Sequence, residues 1–529
     1  MIILRNIKVG LETDFSDCKR LLESTCRCKL PKDSTVTLYK KGIDARQKDS
    51  VHFSCAFLVK SQSERELFFT LKRFNPEEFT DVKYNWPAAD ESQQRPVVVG
   101  FGPAGMFAAL SLAKAGLRPV VLERGRDADS RKNDVELFFA GGKLNENSNI
   151  QFGEGGAGTF SDGKLNTGIK DPRIREVLRV FNAHGAGEKI LYEAKPHIGT
   201  DVLISVVKSI RREIIALGGE VLFEHKVSGF QIKDGLLCGL EVDSPEGEIE
   251  IKTKFAVLAI GHSARDTFAE VKNSGIAMEP KPFAIGARIE HLQAEINRSQ
   301  YGGFANHPAL GAADYRLACH LSNGRGVFTF CMCPGGVVVN ASSEQGGVVV
   351  NGMSNSARDG VNANSALLVG VSVDDFYNGD VLDGVRFQRL IEQKAFSEGN
   401  GRPVAQTVGD FLKVGKPSGF SVVPSAKPGV TFGELQRILP SFVTDSMREG
   451  ILTLGCKLKG FADSGAVLTA PETRSSSPVR ILRDNLGESS VKGVYPCGEG
   501  AGYAGGITSA AVDGLKTAEF IIKAMSCKE

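Results

Sequence analysis

The 529-residue chain is long enough for two or three domains rather than one core. With 42% apolar and 24% charged residues it has the composition of a folded protein, which excludes a largely disordered chain. Its 64 Lys and Arg nearly balance 62 Asp and Glu, so no global field draws it to nucleic acid or to an anionic membrane. Eleven cysteines are too sparse for a disulfide scaffold, no Cys-x-x-Cys pair occurs, and the eight histidines are scattered, so no metal site is expected. No apolar run reaches the ~18 residues of a membrane span, and Arg5 interrupts the first apolar stretch before a leader could form. The expectation is a cytoplasmic protein in a reducing compartment.

Residues 1–85 read as a small α/β unit. Ile2–Val9 alternates like a strand, Phe15–Cys26 carries helical spacing, and Val36–Tyr39 and His52–Val59 look like two further strands. Residues 86–96 are polar, Pro-flanked and aperiodic, as a linker is. Val97–Val99 is then wholly apolar and β-branched, as a strand buried on both faces should be. Gly100-Phe-Gly102-Pro103-Ala104-Gly105 follows at once and opens an alanine-rich helix to about Ala115, capped by Gly116. A second apolar strand, Pro119–Leu122, ends in Glu123.

Gly-x-Gly-x-x-Gly carries weight here because it sits between a buried strand and a helix N-terminus. The first glycine makes the turn, the second lets a pyrophosphate reach the backbone, and the third packs helix on sheet. The helix N-terminus offers free N–H groups to the phosphates. Glu123, 18 residues beyond Gly105, stands where it accepts the ribose hydroxyls of the adenosine half, which favours FAD or NAD over NADP. Two later segments decide between them. Phe255–Gly261 is a buried strand ending in a glycine turn. Gly493–Ile507 is again strand, acidic turn and glycine loop (Gly498, Glu499, Gly505, Gly506), and Ile507 begins an amphipathic helix. A helix N-terminus facing the flavin pyrimidine would stabilise the charge of the reduced ring. NAD domains lack this C-terminal return, so the expected cofactor is FAD, bound non-covalently.

The chain resembles a family of FAD-dependent dehydrogenases of the two-dinucleotide-binding-fold type, found in bacteria and plants. The resemblance lies in Phe152–Leu165, His197–Asp201, Phe330–Gly336, Asn351–Ser354, Glu472–Arg480 and Cys497–Gly506, and it runs over nearly the whole chain. Two departures are Leu292, where proline would be expected, and Cys497, where a small residue would. What the resemblance implies is FAD, a flavin site near Glu499, and no general substrate. The glycine-rich loop around Gly156, Gly158, Thr159 and Ser161 can lay N–H groups around pyrophosphate or flavin. Arg131 resembles an arginine that related flavoproteins direct at the pyrophosphate. Arg124 joins the candidate set beside Glu123, and Val227 matches the residue whose backbone meets adenine.

Arg288, Glu290, His291, Arg474 and Arg480 are expected near the substrate face, either holding a substrate anion or stitching domains by ion pairs. Cys331 and Cys333 read as buried strand residues. No Lys, Arg or His stands between Val327 and Val339, so their thiols are expected to keep a high pKa.

The fold class expected is α/β (α+β overall). A Rossmann-type FAD domain (97–265 and 485–529) would carry an inserted, mainly antiparallel β substrate domain (266–484) and the small N-terminal α/β domain. Function follows as an FAD-dependent oxidoreductase moving hydride or electrons to or from a small molecule. The alternatives are a partner-binding flavoprotein docking through its N-terminal domain, and a flavin monooxygenase-like hydroxylase. NAD(P)H stays open as donor, although no second dinucleotide motif is present.

Overall fold

The computed structural model describes residues 1–89, 94–413 and 422–526; part of the expected linker at 86–96 lies outside them. At its centre is a five-stranded, all-parallel sheet in the order Val494–Pro496, Ala256–Leu258, Val97–Val99, Val120–Glu123, Glu220–Phe223. Its three middle strands are buried on both faces, one against helices and the other against a small antiparallel sheet with the helix Arg265–Asn273. The helix Pro103–Lys114 is buried from Ala104 to Ala113. It lies between the sheet and the C-terminal helix Ile507–Ser526, and small residues allow the approach. A Cβ on Gly105 would fall on the Gly100 carbonyl, and one on Gly514 would fall on that of Ala104. Gly100 itself turns at φ +96°, in the region that favours glycine.

A three-stranded antiparallel sheet, residues 226–252, flanks this layer. The chain between 266 and 484 builds a seven-stranded sheet in the order Ala318–His320, Gly326–Cys333, Asn362–Val371, Phe283–Leu292, Val467–Glu472, Val404–Thr407, Thr431–Phe432. It is antiparallel apart from the last pair, which runs parallel. Helices Asp383–Gly399 and Ser441–Gly455 pack on it. Val337–Asn340 pairs with Val350–Met353 in a separate two-stranded antiparallel ribbon.

The N-terminal sheet orders Thr35–Asp44, His52–Lys60, Ile2–Val9 and Glu77–Glu78. Its apolar face, including Leu4, Phe53, Phe57 and Val59, is continuous with a core that also takes in Ile285, Ile289, Leu310 and Leu367 of the seven-stranded sheet and its connections. The first unit therefore shares its hydrophobic core with the large sheet. None of the helices among the described residues is long and apolar enough to cross a membrane.

Candidate functional site

A cavity of about 1040 Å³ runs from the carboxyl ends of the parallel strands to the seven-stranded sheet. That volume is at the upper end of small-molecule pockets, ~300–1,000 Å³, as a dinucleotide with space beside it requires. Its walls include Gly100, Gly102, Pro103, Ala104, Glu123, Arg124, Gly156, Gly158, Ser161, Val227 and Gly261, then Glu499, Gly505, Gly506 and Ile507. Residues more than 400 positions apart meet because all the central strands point their carboxyl ends the same way.

Glu123 is only 5% exposed and works harder than the sequence suggests. Its Oε2 accepts the Phe101 N–H (2.8 Å), and its Oε1 accepts those of Gly125 (2.9 Å) and Gly153 (3.0 Å). The carboxylate thus ties together the first glycine turn and the later loop, while still lining the cavity. A carboxylate offers about four lone-pair sites, so one is left for a ligand hydroxyl. Arg124 pairs with Asp266 (2.8 Å) and lies over the Phe152 ring at 4.1 Å.

Arg131 corrects the sequence reading. Its guanidinium is fully buried and does not line the cavity. It donates to the carbonyls of Asn149 (2.8 Å), Ile150 (2.9 Å), Gly153 (3.2 Å), Glu154 (2.8 Å) and Gly156 (2.9 Å). Burial pushes its pKa down to about 10, with Glu123 and Glu154 opposing. Arg131 thus shapes the glycine loop from behind the cavity wall. Thr159 is likewise turned inward, its hydroxyl donating to the Glu154 carbonyl. Gly105 and Gly498 also stand behind the wall, packing helix on sheet and donating to Asp513 (2.8 Å) respectively.

The residues present fit FAD. Gly102 and Gly156 face each other so closely that a Cβ on Gly156 would press on the Gly102 backbone at 2.9 Å, which leaves bare backbone along a phosphate path. Glu499 faces the cavity with no side-chain hydrogen-bond partner among the described residues, and burial pushes its carboxyl up to about 7, with Lys281 opposing. The N-terminus of the Ile507 helix opens on the same space. Cys497, the departure noted in sequence, lines the wall but is buried, and burial holds its thiol well above the usual range.

A family model described as "FAD-dependent protein, C-terminal domain-like" matches residues 282–475. An uncharacterised protein of Clostridium beijerinckii (strain ATCC 51743 / NCIMB 8052) is 47% identical over 530 residues, covering 99% of this chain and 98% of that one. The chain belongs to this family of FAD-dependent proteins. Its cofactor is FAD. Among solved structures, the chain is similar to a glycerol-3-phosphate dehydrogenase from Bacillus halodurans complexed with FAD (TM-score 0.37, 14% identity, 83% of this chain, 66% of that one). A flavoprotein/dehydrogenase from Cytophaga hutchinsonii gives a TM-score of 0.36 at 12% identity, over 82% of this chain and 79% of that one.

The charged residues expected at the substrate face divide. Arg474 lines the cavity, beside Glu472, which is not one of them, yet Arg474 is committed to Glu392 (2.7 Å) and Ser343 (2.5 Å). Arg288 is fully buried against Glu472 (3.3 Å) and Asn364, Glu290 accepts from Asn362 and Ser425, and His291 sits against the Phe461 carbonyl. Arg480 pairs with Glu279 (3.4 Å). Ion pairs therefore engage all three arginines, and each of these pairs lies within residues 266–484.

The thiol expectation fails for Cys331 and holds for Cys333, whose thiol the pairing with Cys331 and burial push well above its usual range. Arg288 Nη2 donates to the Cys331 carbonyl (2.8 Å) and lies 3.6 Å from Cys333 Sγ; Lys164 Nζ donates to the Met332 carbonyl. The cations missing from the local sequence arrive from other elements. A hydrogen bond from Cys333, then Lys164 and Arg288, hold the Cys331 thiol below its usual range against the cost of burial. Sequence reasoning also missed Asp162 and Lys164 as a cavity pair, although both stand in the glycine-rich stretch that carries the resemblance.

Proposed function

We propose that the protein is an FAD-dependent oxidoreductase of dehydrogenase type, acting on a small molecule bound beside the flavin. The observation that carries this reading is the second half of the cavity. Beyond the FAD-lining glycines it is walled by Tyr315, Leu317, Phe328, Phe330 and Met332 of the inserted sheet and its approach. An apolar wall with a few polar groups is what binds and orients a small substrate while excluding water.

Bound FAD supplies two-electron chemistry at its ring. The protein's part is to hold and polarise. Glu123 and the Gly100–Gly105 turn take the adenosine half and the pyrophosphate. The N–H groups of the Ile507 helix favour negative charge at the flavin pyrimidine edge. Glu499, raised to about 7, is placed to exchange a proton near neutral pH.

Anaerobic mixing of the holoprotein with NADH and with NADPH, following flavin bleaching, tests the proposal. Bleaching by either, followed by slow reoxidation in air, is the expected result. A transient flavin peroxide on reoxidation would transfer the assignment to a hydroxylase. No bleaching by either nucleotide, with dithionite still bleaching fully, would contradict NAD(P)H as donor and move weight to a partner-binding flavoprotein.

A further inference from the structure

We propose that Cys331 stands as a thiolate, the nucleophile of the FAD cavity, with Cys333 as the protonated thiol beside it, and that the site takes a soft electrophile. The inference rests on the flavoprotein reading only for what shares the cavity.

The strand Gly326–Cys333 leaves its ladder after Phe330. Phe330 pairs with Ala366 and Cys333 with Asn364, so one extra residue bulges out between them. Cys331 sits in that bulge at φ +41°, a left-handed conformation uncommon for a side chain with a Cβ. Such bulges re-aim side chains, and backbone held this way clusters at functional sites. Here the bulge sets Cys331, half-buried, in the cavity wall, while Cys333 is fully buried behind it and donates to the Cys331 carbonyl at 3.3 Å.

The groups facing the pair come from several elements. Arg288 and Lys164 bring two positive charges to the pair, and Arg358, held on Asp162, brings a third to the surrounding cluster. Asp162 answers with one negative charge, since Arg358 and Lys164 hold its carboxyl below the usual range against the cost of burial. Burial first, and then the negative form of Cys331 itself, push Glu472 and Glu499 up to about 7, with Arg288 opposing at Glu472 and Lys281 at Glu499, so these carboxyls share negative charge with that thiol. Tyr315, pushed up to about 12 by burial, stays neutral, and burial lowers the His197 imidazole toward its neutral form. The cluster is short of negative charge, and a Cys331 thiolate supplies it. Cys333 keeps the shared proton because it is the more deeply buried of the two.

Toward an alkyl halide the step balances without a redox partner. The sulfur lone pair forms the S–C bond, and the halide leaves with the C–halogen pair. Holoprotein and FAD-stripped protein, each assayed for FAD content, are treated with iodoacetamide between pH 5.5 and 9, and each cysteine peptide is quantified by mass spectrometry. The expected result is Cys331 alkylation with a midpoint below pH 7, at least ~10-fold faster at pH 6.5 than the exposed Cys238 and Cys456, given a free thiol near pKa ~8.5. Cys333→Ala is expected to raise that midpoint by more than one pH unit, and Cys333→Ser, which keeps a donor, by less. A wild-type midpoint above 8, or alkylation no faster than at Cys238, overturns the proposal. A low midpoint in protein that takes up no FAD supports the thiolate and breaks the cofactor reading. A high midpoint in FAD-loaded protein does the reverse.

Discussion

Two buried charge clusters lie on the inserted sheet, and they are built differently. In the first, Glu392 accepts from Arg265 (2.7 and 2.9 Å) and from Arg474 (2.7 and 3.0 Å), and also from the Thr473 hydroxyl (2.5 Å). Glu344 accepts from Arg265 at 2.8 Å, and Gln388 and Ser343 accept from the outer nitrogens, which leaves Arg265 Nε as the one guanidinium nitrogen of the two arginines without a partner among the described residues. Burial opposes the Glu392 charge, but the two arginines hold its carboxyl well below the usual range. Arg265 follows the third strand–turn of the FAD domain, while Glu392 and Arg474 belong to the inserted domain, so this closed network fastens the two. In the second cluster, Arg288 has one buried carboxyl that titrates near neutrality, the Asn364 amide nitrogen has no partner among the described residues, and two thiols fill the gap. Saturated charge serves as structure; unsaturated charge facing a cavity is available for chemistry.

The closed cluster gives the largest expected effect. Glu392→Gln leaves Arg265 with Glu344 alone and takes from Arg474 the carboxylate it touches, and removing one partner of a buried pair costs about 3–5 kcal/mol. Urea unfolding should show that loss; a change below about 1 kcal/mol would mean that the network does not fasten the domains. Arg131→Met should come next. It strands several buried carbonyls, each unpaired group costing about 1–3 kcal/mol where water cannot reach it. Gel filtration should then show FAD lost from the folded variant. FAD retained at wild-type level would return Arg131 to an ordinary core role.

Cys497→Ala, by contrast, should leave FAD content and flavin reduction within about twofold of wild type. Burial has already made that thiol inert. A smaller effect is expected from pH. Glu499 is raised on folding, so the folded apoprotein binds more protons than the unfolded chain between about pH 4.5 and 7, and stability falls as pH rises through that window. Glu472 contributes with the same sign. Glu499→Gln should flatten the fall, a Tm difference on the order of 2 °C at pH 8. An unchanged slope would leave Glu472 as the titrating group.

The parts of this site that are legible in sequence are those whose physics is local. Gly100–Gly105 declares itself because a turn, a helix start and a close helix contact all fall within six residues. Glu123 is legible as a strand end, yet its three backbone partners are not, since Gly153 reaches it only after the loop folds back. Arg131 misleads for the same reason: its acceptors are backbone carbonyls of residues 149–156, which carry no side-chain signature. Cys331 is the clearest case. Its neighbours in sequence are apolar, and its cations come from Lys164 and Arg288 on other elements. Burial, charge and a one-residue bulge decide its chemistry, and none of them can be read from a strand pattern.

The central claim is that one FAD lies in the cavity with its adenosine half on Glu123. Calorimetric titration of the apoprotein with FAD tests it, comparing wild type with Glu123→Gln and checking by circular dichroism that each is folded. The account predicts one FAD per chain. It also predicts a loss of about 1.5–3 kcal/mol in the variant, the worth of a hydrogen bond to a charged group, or roughly 10- to 150-fold in Kd. Equal affinity in a folded variant would contradict it, because the ribose hydroxyls would then lie elsewhere.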